Sequence, residues 1–387
     1  MSLSTRYLRN FTLAVGAALT LSACGLFGND SRYEPVDLTE YQATITPVIH
    51  WTASIGKGSG YGFTPVVDGN NVFAATPDGK VSRLNLDTGA IIWQRDLDKD
   101  LASGVGVGEG VVAVTTKDGQ VVLLDANNGN QRWEVRSSTV ATTPPMIANG
   151  AVVVRADDFR VQGLNIADGS LLWSYVRAQA ELALKAHSRM VSAGASTVLV
   201  ALPVGRVVAL NTQTGRPLWE LLASTVKGPS DLDSVADVVG APIVNGNDIC
   251  LASYQGNVLC YGVTAKGAQA RWSQPFSTAT GVDATQSSVL SAGVDGTVTS
   301  FSRQDGQVLW SDKTLRNRGL SNPIAYDNHV VVADYEGYAH FYDFNSGALQ
   351  GRISLGDSEP VVSPLVATPK GILAQTGDGD LVLFGAK

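Results

Sequence analysis

The chain has 387 residues, 44% apolar and 16% charged, an ordinary globular balance that excludes wholesale disorder. Its formal charge is −7, from 28 Lys and Arg against 35 Asp and Glu. An acidic surface excludes a nucleic-acid backbone as partner and excludes adhesion to anionic lipid through a basic patch.

The first residues read as an address. Arg6 and Arg9 form a short basic region, and Phe11 to Leu21 is an apolar run too short to span a bilayer of ~30 Å. Leu21-Ser22-Ala23-Cys24-Gly25 follows. An apolar residue, two small ones and a cysteine at that place resemble the bacterial lipobox. The resemblance implies cleavage after residue 23, which brings the charge nearer to −9, and lipid on Cys24, so the chain is anchored to the membrane and does not span it. The bland alternative is a plain signal peptide with an incidental cysteine. Gly25, which is not aspartate, implies the outer membrane, with the protein facing the periplasm. Residues 24–46 have no clear period and read as a tether, and residues 47–387 as one folded domain.

From residue 62 the sequence repeats. Gly62 to Val67, Val72 to Thr76, Val81 to Leu86 and Ile91 to Arg95 are four short strand patterns. The turns between them are Asp68-Gly69-Asn70, Pro77-Asp78-Gly79 and Asp87-Thr88-Gly89, where glycine supplies positive φ. The interval from the second turn to a tryptophan sets the register. Gly79 to Trp93, Gly119 to Trp133, Gly205 to Trp219 and Gly296 to Trp310 are each 14 residues. Phe159 holds the glycine place before Trp173, Gly256 to Trp272 is 16, and Gly337 leads at 14 to Gly351, without an aromatic. Tryptophan intervals of 40, 40, 46, 53 and 38 fit four-stranded blades.

The ends fix the count. The last unit stops after the strand Leu381 to Phe384, and Trp51 stands in an orphan strand, Val48 to Ser54, before the first full unit. The N-terminal strand therefore completes the last blade. The expected fold is all-β: an eight-bladed β-propeller of four antiparallel strands per blade, closed by that strand. Trp51, Trp93, Trp133, Trp173, Trp219, Trp272 and Trp310 are expected to dock blade on blade, with ligand stacking as the alternative.

The pattern Asp87-x-x-x-x-x-Trp93, with weaker forms at Asn127-Asn128-Gly129, Gln213-Thr214-Gly215 and Asn345-Ser346-Gly347, resembles the quinoprotein-type propeller repeat over residues 51–384. That family takes in pyrroloquinoline-quinone dehydrogenases and lipoproteins of outer-membrane barrel assembly. A dehydrogenase needs a calcium set and a carboxylate base, and many carry adjacent cysteines. Here no Cys-Cys exists, and His50, His187, His329 and His340 show no metal-ligand spacing. No catalytic residue, metal site or cofactor is expected, and a quinone-dependent oxidoreductase is the alternative reading. The resemblance, together with the lipobox, implies a non-enzymatic scaffold that binds the periplasmic POTRA repeats of the barrel insertase BamA within its assembly complex. Unfolded outer-membrane proteins are further candidate clients, through strand addition.

The period stretches at two insertions, 177–190 and 224–239. By the resemblance, two leucines with a following arginine on one loop and two aspartates on the next dock on BamA. Leu182 and Leu184 match the leucines, Lys185 stands at the arginine position and Asp237 matches the first aspartate. Val239 departs from the second aspartate, so the acidic contact is expected to be shared with Asp233. The alternation Leu182-x-Leu184 also fits a core strand of blade 4. Cys250 and Cys260 fall on facing strands, as small buried residues or as a disulfide.

Overall fold

A computed structural model describes residues 34–177, 188–224, 236–264, 267–356, 359–361 and 363–386. Residues 38–387 make up one folded unit, distinct from residues 1–37. Among the described residues all regular structure is strand, arranged as eight four-stranded antiparallel sheets. Blades 1 to 7 are contiguous in the chain: 66–96, 101–136, 146–175, 191–222, 238–275, 282–312 and 324–354. Blade 8 takes Val366–Thr368, Gly371–Gln375 and Asp380–Ala386 from the C-terminal end and Pro47–Ser54 from the N-terminal end. In that closing pair Trp51 stands opposite Leu383 and Ser54 opposite Asp380. The protein is an eight-bladed β-propeller closed by its own first strand.

Within each blade the second and third strands are buried almost completely, as in Val111–Thr116 and Gln120–Asp125. The fourth is an edge, and in six blades its one buried residue is the tryptophan, as in Ile91–Asp96. Two consecutive residues before Trp93, Ile91 and Ile92, are both exposed, which simple alternation forbids. A β-bulge supplies the reason. Arg83 faces Trp93 but Leu84 faces Ile91, so Ile92 has no partner. The same shift falls before Trp133, Trp173, Trp219, Trp272 and Trp310, before Gly351 in blade 7, and before Trp51 in blade 8. One extra residue per edge strand reorients each indole toward the next blade.

The indole is received the same way at six junctions. Its Nε1–H donates to a backbone carbonyl of the following blade: Trp51 to Leu86 (2.8 Å), Trp93 to Ala126 (3.0 Å), Trp133 to Ile166 (2.9 Å). Trp173 to Thr212 (2.8 Å), Trp272 to Arg303 (2.8 Å) and Trp310 to Phe344 (2.9 Å) repeat it. Its ring lies flat on the glycine of that blade's third turn. A Cβ at Gly89 would stand 2.6 Å from Trp51, and one at Gly347 2.5 Å from Trp310. In five of these six blades an Asn or Asp ends the third strand, and in blade 6 it is Ser302. Asn85 Oδ1 accepts from the Asp87 and Thr88 amides and the Thr88 hydroxyl. Asn211 and Asp343 accept in the same way.

Two junctions differ. Trp219 is less buried than the other six, and in the blade it faces the third and fourth strands stay paired past the bulge as far as Thr264 and Gly267. Blade 7 has Gly351 in the tryptophan place, and a Cβ there would meet Ile45 Cγ1 at 2.7 Å and Pro47 Cγ at 2.9 Å. Part of the segment read as a tether thus fills the space. The Thr44 and Ile45 amides donate to Gln350 O, and Arg352 donates to Thr39 O and stacks over Tyr41. Leu38 packs on the cluster around Trp310 and Tyr342, and Ile45 on the core between blades 7 and 8.

Candidate partner-binding surface

The two period-stretching insertions arise on blades 4 and 5. Leu182, Leu184, Lys185 and Asp233 lie outside the described residues, as does Cys24. The roots of both insertions are described, and they are joined to each other. Ser188 pairs with Gly240 in a single parallel bridge, and the Arg189 amide donates to Gly240 O at 3.1 Å. At the other end of the first insertion Arg177 pairs with Glu220, whose second oxygen takes Arg206. Glu220 lies on the strand Pro217–Leu222, just before the second insertion. The described ends of the two insertions therefore stand side by side, joined at one end by backbone pairing, while at the other Arg177 is paired with Glu220 on the strand that leads to the second insertion.

Asp237 is buried at 8% exposure. Its Oδ1 accepts the Val204 amide at 2.8 Å, and its carbonyl accepts the Tyr254 amide. The carboxylate thereby closes the turn after Leu202, where Val204 holds φ at +60°. Val239 is buried at 1%.

Cys250 and Cys260 stand directly opposite on neighbouring strands, both buried, and are joined as a disulfide. They pack with Trp272 in the core between blades 5 and 6. The alternative left open on sequence is thus resolved by the strand register, which places the two Cα atoms 4.1 Å apart.

A buried ionic network ties blade 7 to the loop before it. Arg318 Nε donates to Asp334 Oδ2 at 2.8 Å, with the two side chains only 2% and 0% exposed. Its Nη2 reaches Glu336, and its guanidinium lies 5.0 Å from the Tyr335 ring centre. His340 Nε2 meets the same Asp334 oxygen at 2.9 Å, while Arg352 Nε donates to His340 Nδ1 at 3.2 Å. Arginine can only donate, so Nδ1 is the acceptor and the proton sits on Nε2. Burial pushes the His340 pKa below its ordinary value, against the pull of Asp334. Burial opposes ionisation of Asp334 as well, but its bonds to His340, Arg318 and the Tyr338 amide hold its pKa below the usual carboxylate range. Sequence reading missed this network, since its members are spread over 35 positions and only the blade register unites them.

Among the described residues no group of three or more His, Cys, Asp or Glu side chains is placed to hold a metal ion.

The sequence family described as outer membrane protein assembly factor BamB matches residues 49–103, 77–312 and 281–387. This chain belongs to the BamB family. The BamB of Taylorella asinigenitalis is 45% identical over 98% of both chains. The crystal structure of BamB from Moraxella catarrhalis superposes with a TM-score of 0.80 at 24% identity, covering 88% of this chain and 100% of that one. The quinohemoprotein alcohol dehydrogenase of Comamonas testosteroni gives 0.66 at 13% identity, over 92% and 78%. At those identities the two structures attest the fold alone. The family carries the role, outer membrane protein assembly.

Proposed function

We propose that this chain is a non-enzymatic, lipid-anchored scaffold of the outer-membrane β-barrel assembly machinery. Cys24 carries the lipid, the propeller faces the periplasm, and the paired insertions of blades 4 and 5 dock on the POTRA repeats of BamA. Leu182 and Leu184 are the apolar anchors, with Lys185, Asp233 and Asp237 around them. The observation that supports this reading most is the joining of the two insertion roots through Ser188, Arg189 and Gly240. Joined roots keep the two loops next to each other on the ring, so one partner can engage both.

The test is the double substitution Leu182→Glu with Leu184→Glu in the full chain. We expect an unchanged circular dichroism spectrum and melting temperature, with loss of BamA on co-purification. Unfolding of the double variant would assign the leucines to the core, since two buried leucines contribute ~1.5–3 kcal/mol each. Undiminished recovery of BamA from the folded variant would reject the docking surface.

A further inference from the structure

The first strands of most neighbouring blades lie against one another, though not those of blades 3 and 4. Those of blades 1 to 5, with the residues leading into them, line an open pocket of about 340 Å³. That volume lies at the lower end of the ~300–1,000 Å³ typical of ligand pockets. Val107, Pro145, Met146 and Met190 are among its apolar lining, and Ser192 brings a hydroxyl. Among the described residues the wall carries one charged side chain, Arg189.

Arg189 differs from the other guanidinium groups set into the ring. Arg318 has Asp334 and Glu336, and Arg303 has Asp248 and the Thr285 carbonyl. Arg155 has the Thr143 hydroxyl at 2.8 Å and the fields of Asp157 and Asp237. The Arg189 side chain has no hydrogen bond or ion pair with any described residue, and burial lowers its pKa. Its backbone is nonetheless fixed, by the bond to Gly240 O.

A half-buried guanidinium on an apolar wall, with no counter-charge among the described residues, attracts an anion that reaches it. The chain as a whole is acidic, so the attraction is local to this cavity. A guanidinium presents a planar fork that matches a carboxylate bidentately. The two methionines beside it adapt to irregular apolar shapes.

We propose that the central channel binds a small carboxylate ligand, its carboxylate on Arg189 and its compact apolar body against Val107, Met146 and Met190. The site is separate in chemistry from loop docking and does not depend on it.

The experiment is calorimetric titration of the mature chain with hexanoate and, in parallel, with the neutral isostere hexanamide. We expect saturable hexanoate binding, with hexanamide weaker by about tenfold or more. Arg189→Gln should weaken hexanoate by a similar factor, and Arg189→Lys should lose part of it. An acetylated tripeptide with a free C-terminal carboxylate, run in competition, separates the two sources of this chemistry. The tighter of tripeptide and hexanoate names the chain end or the free acid. No saturable binding of either acid, equal binding of acid and amide, or unchanged binding in folded Arg189→Gln would overturn the proposal. Should Arg189→Gln fail to fold, the acid–amide comparison on the wild-type chain decides by itself.

Discussion

Single positions bear the junctions between blades. Gly89 holds φ at +70° and would place a Cβ 2.6 Å from Trp51, so it is constrained by conformation and by contact together. Gly89→Ala is expected to destabilise the ring by roughly 1–3 kcal/mol, read as a lower urea midpoint at unchanged slope. Gly69 also has positive φ but open space around it, so Gly69→Ala should cost less. The tryptophan interval made the docking residues legible from sequence. The glycine that receives each indole was legible only as a turn former, because the second role depends on a neighbouring blade. His340 gives a pH signature. Its folded pKa lies below the ordinary 6.5, so the unfolded chain takes up the proton first. Stability is therefore fully present above pH ~6.5 and falls as the pH drops through that value, by at most ~1.4 kcal/mol per pH unit for one proton. Asp334, with its pKa depressed, adds a second loss below the usual carboxylate value of 3.8. The groups around the imidazole are Asp334, Arg318, Arg352 and the Tyr338 ring. His340→Gln should flatten the dependence between pH 7 and 5, as measured by denaturation at each pH; an unaltered slope would assign that dependence to other groups.

At the scale of elements, two segments near the N-terminus do different work. The strand Pro47–Ser54 closes the ring, and sequence alone placed it, since the last unit lacked a fourth strand and Trp51 lacked a blade. Residues 38–46 show no period, and their place against blade 7 was not legible. The vacancy at Gly351 was visible in the 14-residue interval, but what fills it comes from a segment some three hundred positions earlier, with no repeat to mark it. Ile45 is half-buried there, so Ile45→Ala should cost about 1 kcal/mol. The exposed edge residue Ile91, changed to alanine, should alter stability by less than about 0.5 kcal/mol. Equal thermal shifts for the two variants would contradict the packing of residues 38–46. The bulge was likewise hidden. An Ile-Ile-Trp run reads as a plain strand, and only the pairing register shows that Ile92 is skipped.

For the whole molecule, closure removes the open edge that an unclosed stack would leave along Asp380–Ala386 and makes the ring a fixed frame for its loops. The fold class and blade count followed from interval arithmetic, because a repeat writes its period into the sequence. The two insertions showed as stretched intervals, but their docking residues are implied by resemblance alone, since an insertion carries no period of its own. On this account the side of the ring bearing residues 177–190 meets BamA, while the outer edge of blade 1 does not. The most direct measurement is photocrosslinking in cells from a probe at position 182, with a matched probe at the exposed position 92 on blade 1. The account predicts a BamA adduct from position 182 and none from position 92. Adducts from position 92 with none from position 182 would contradict it.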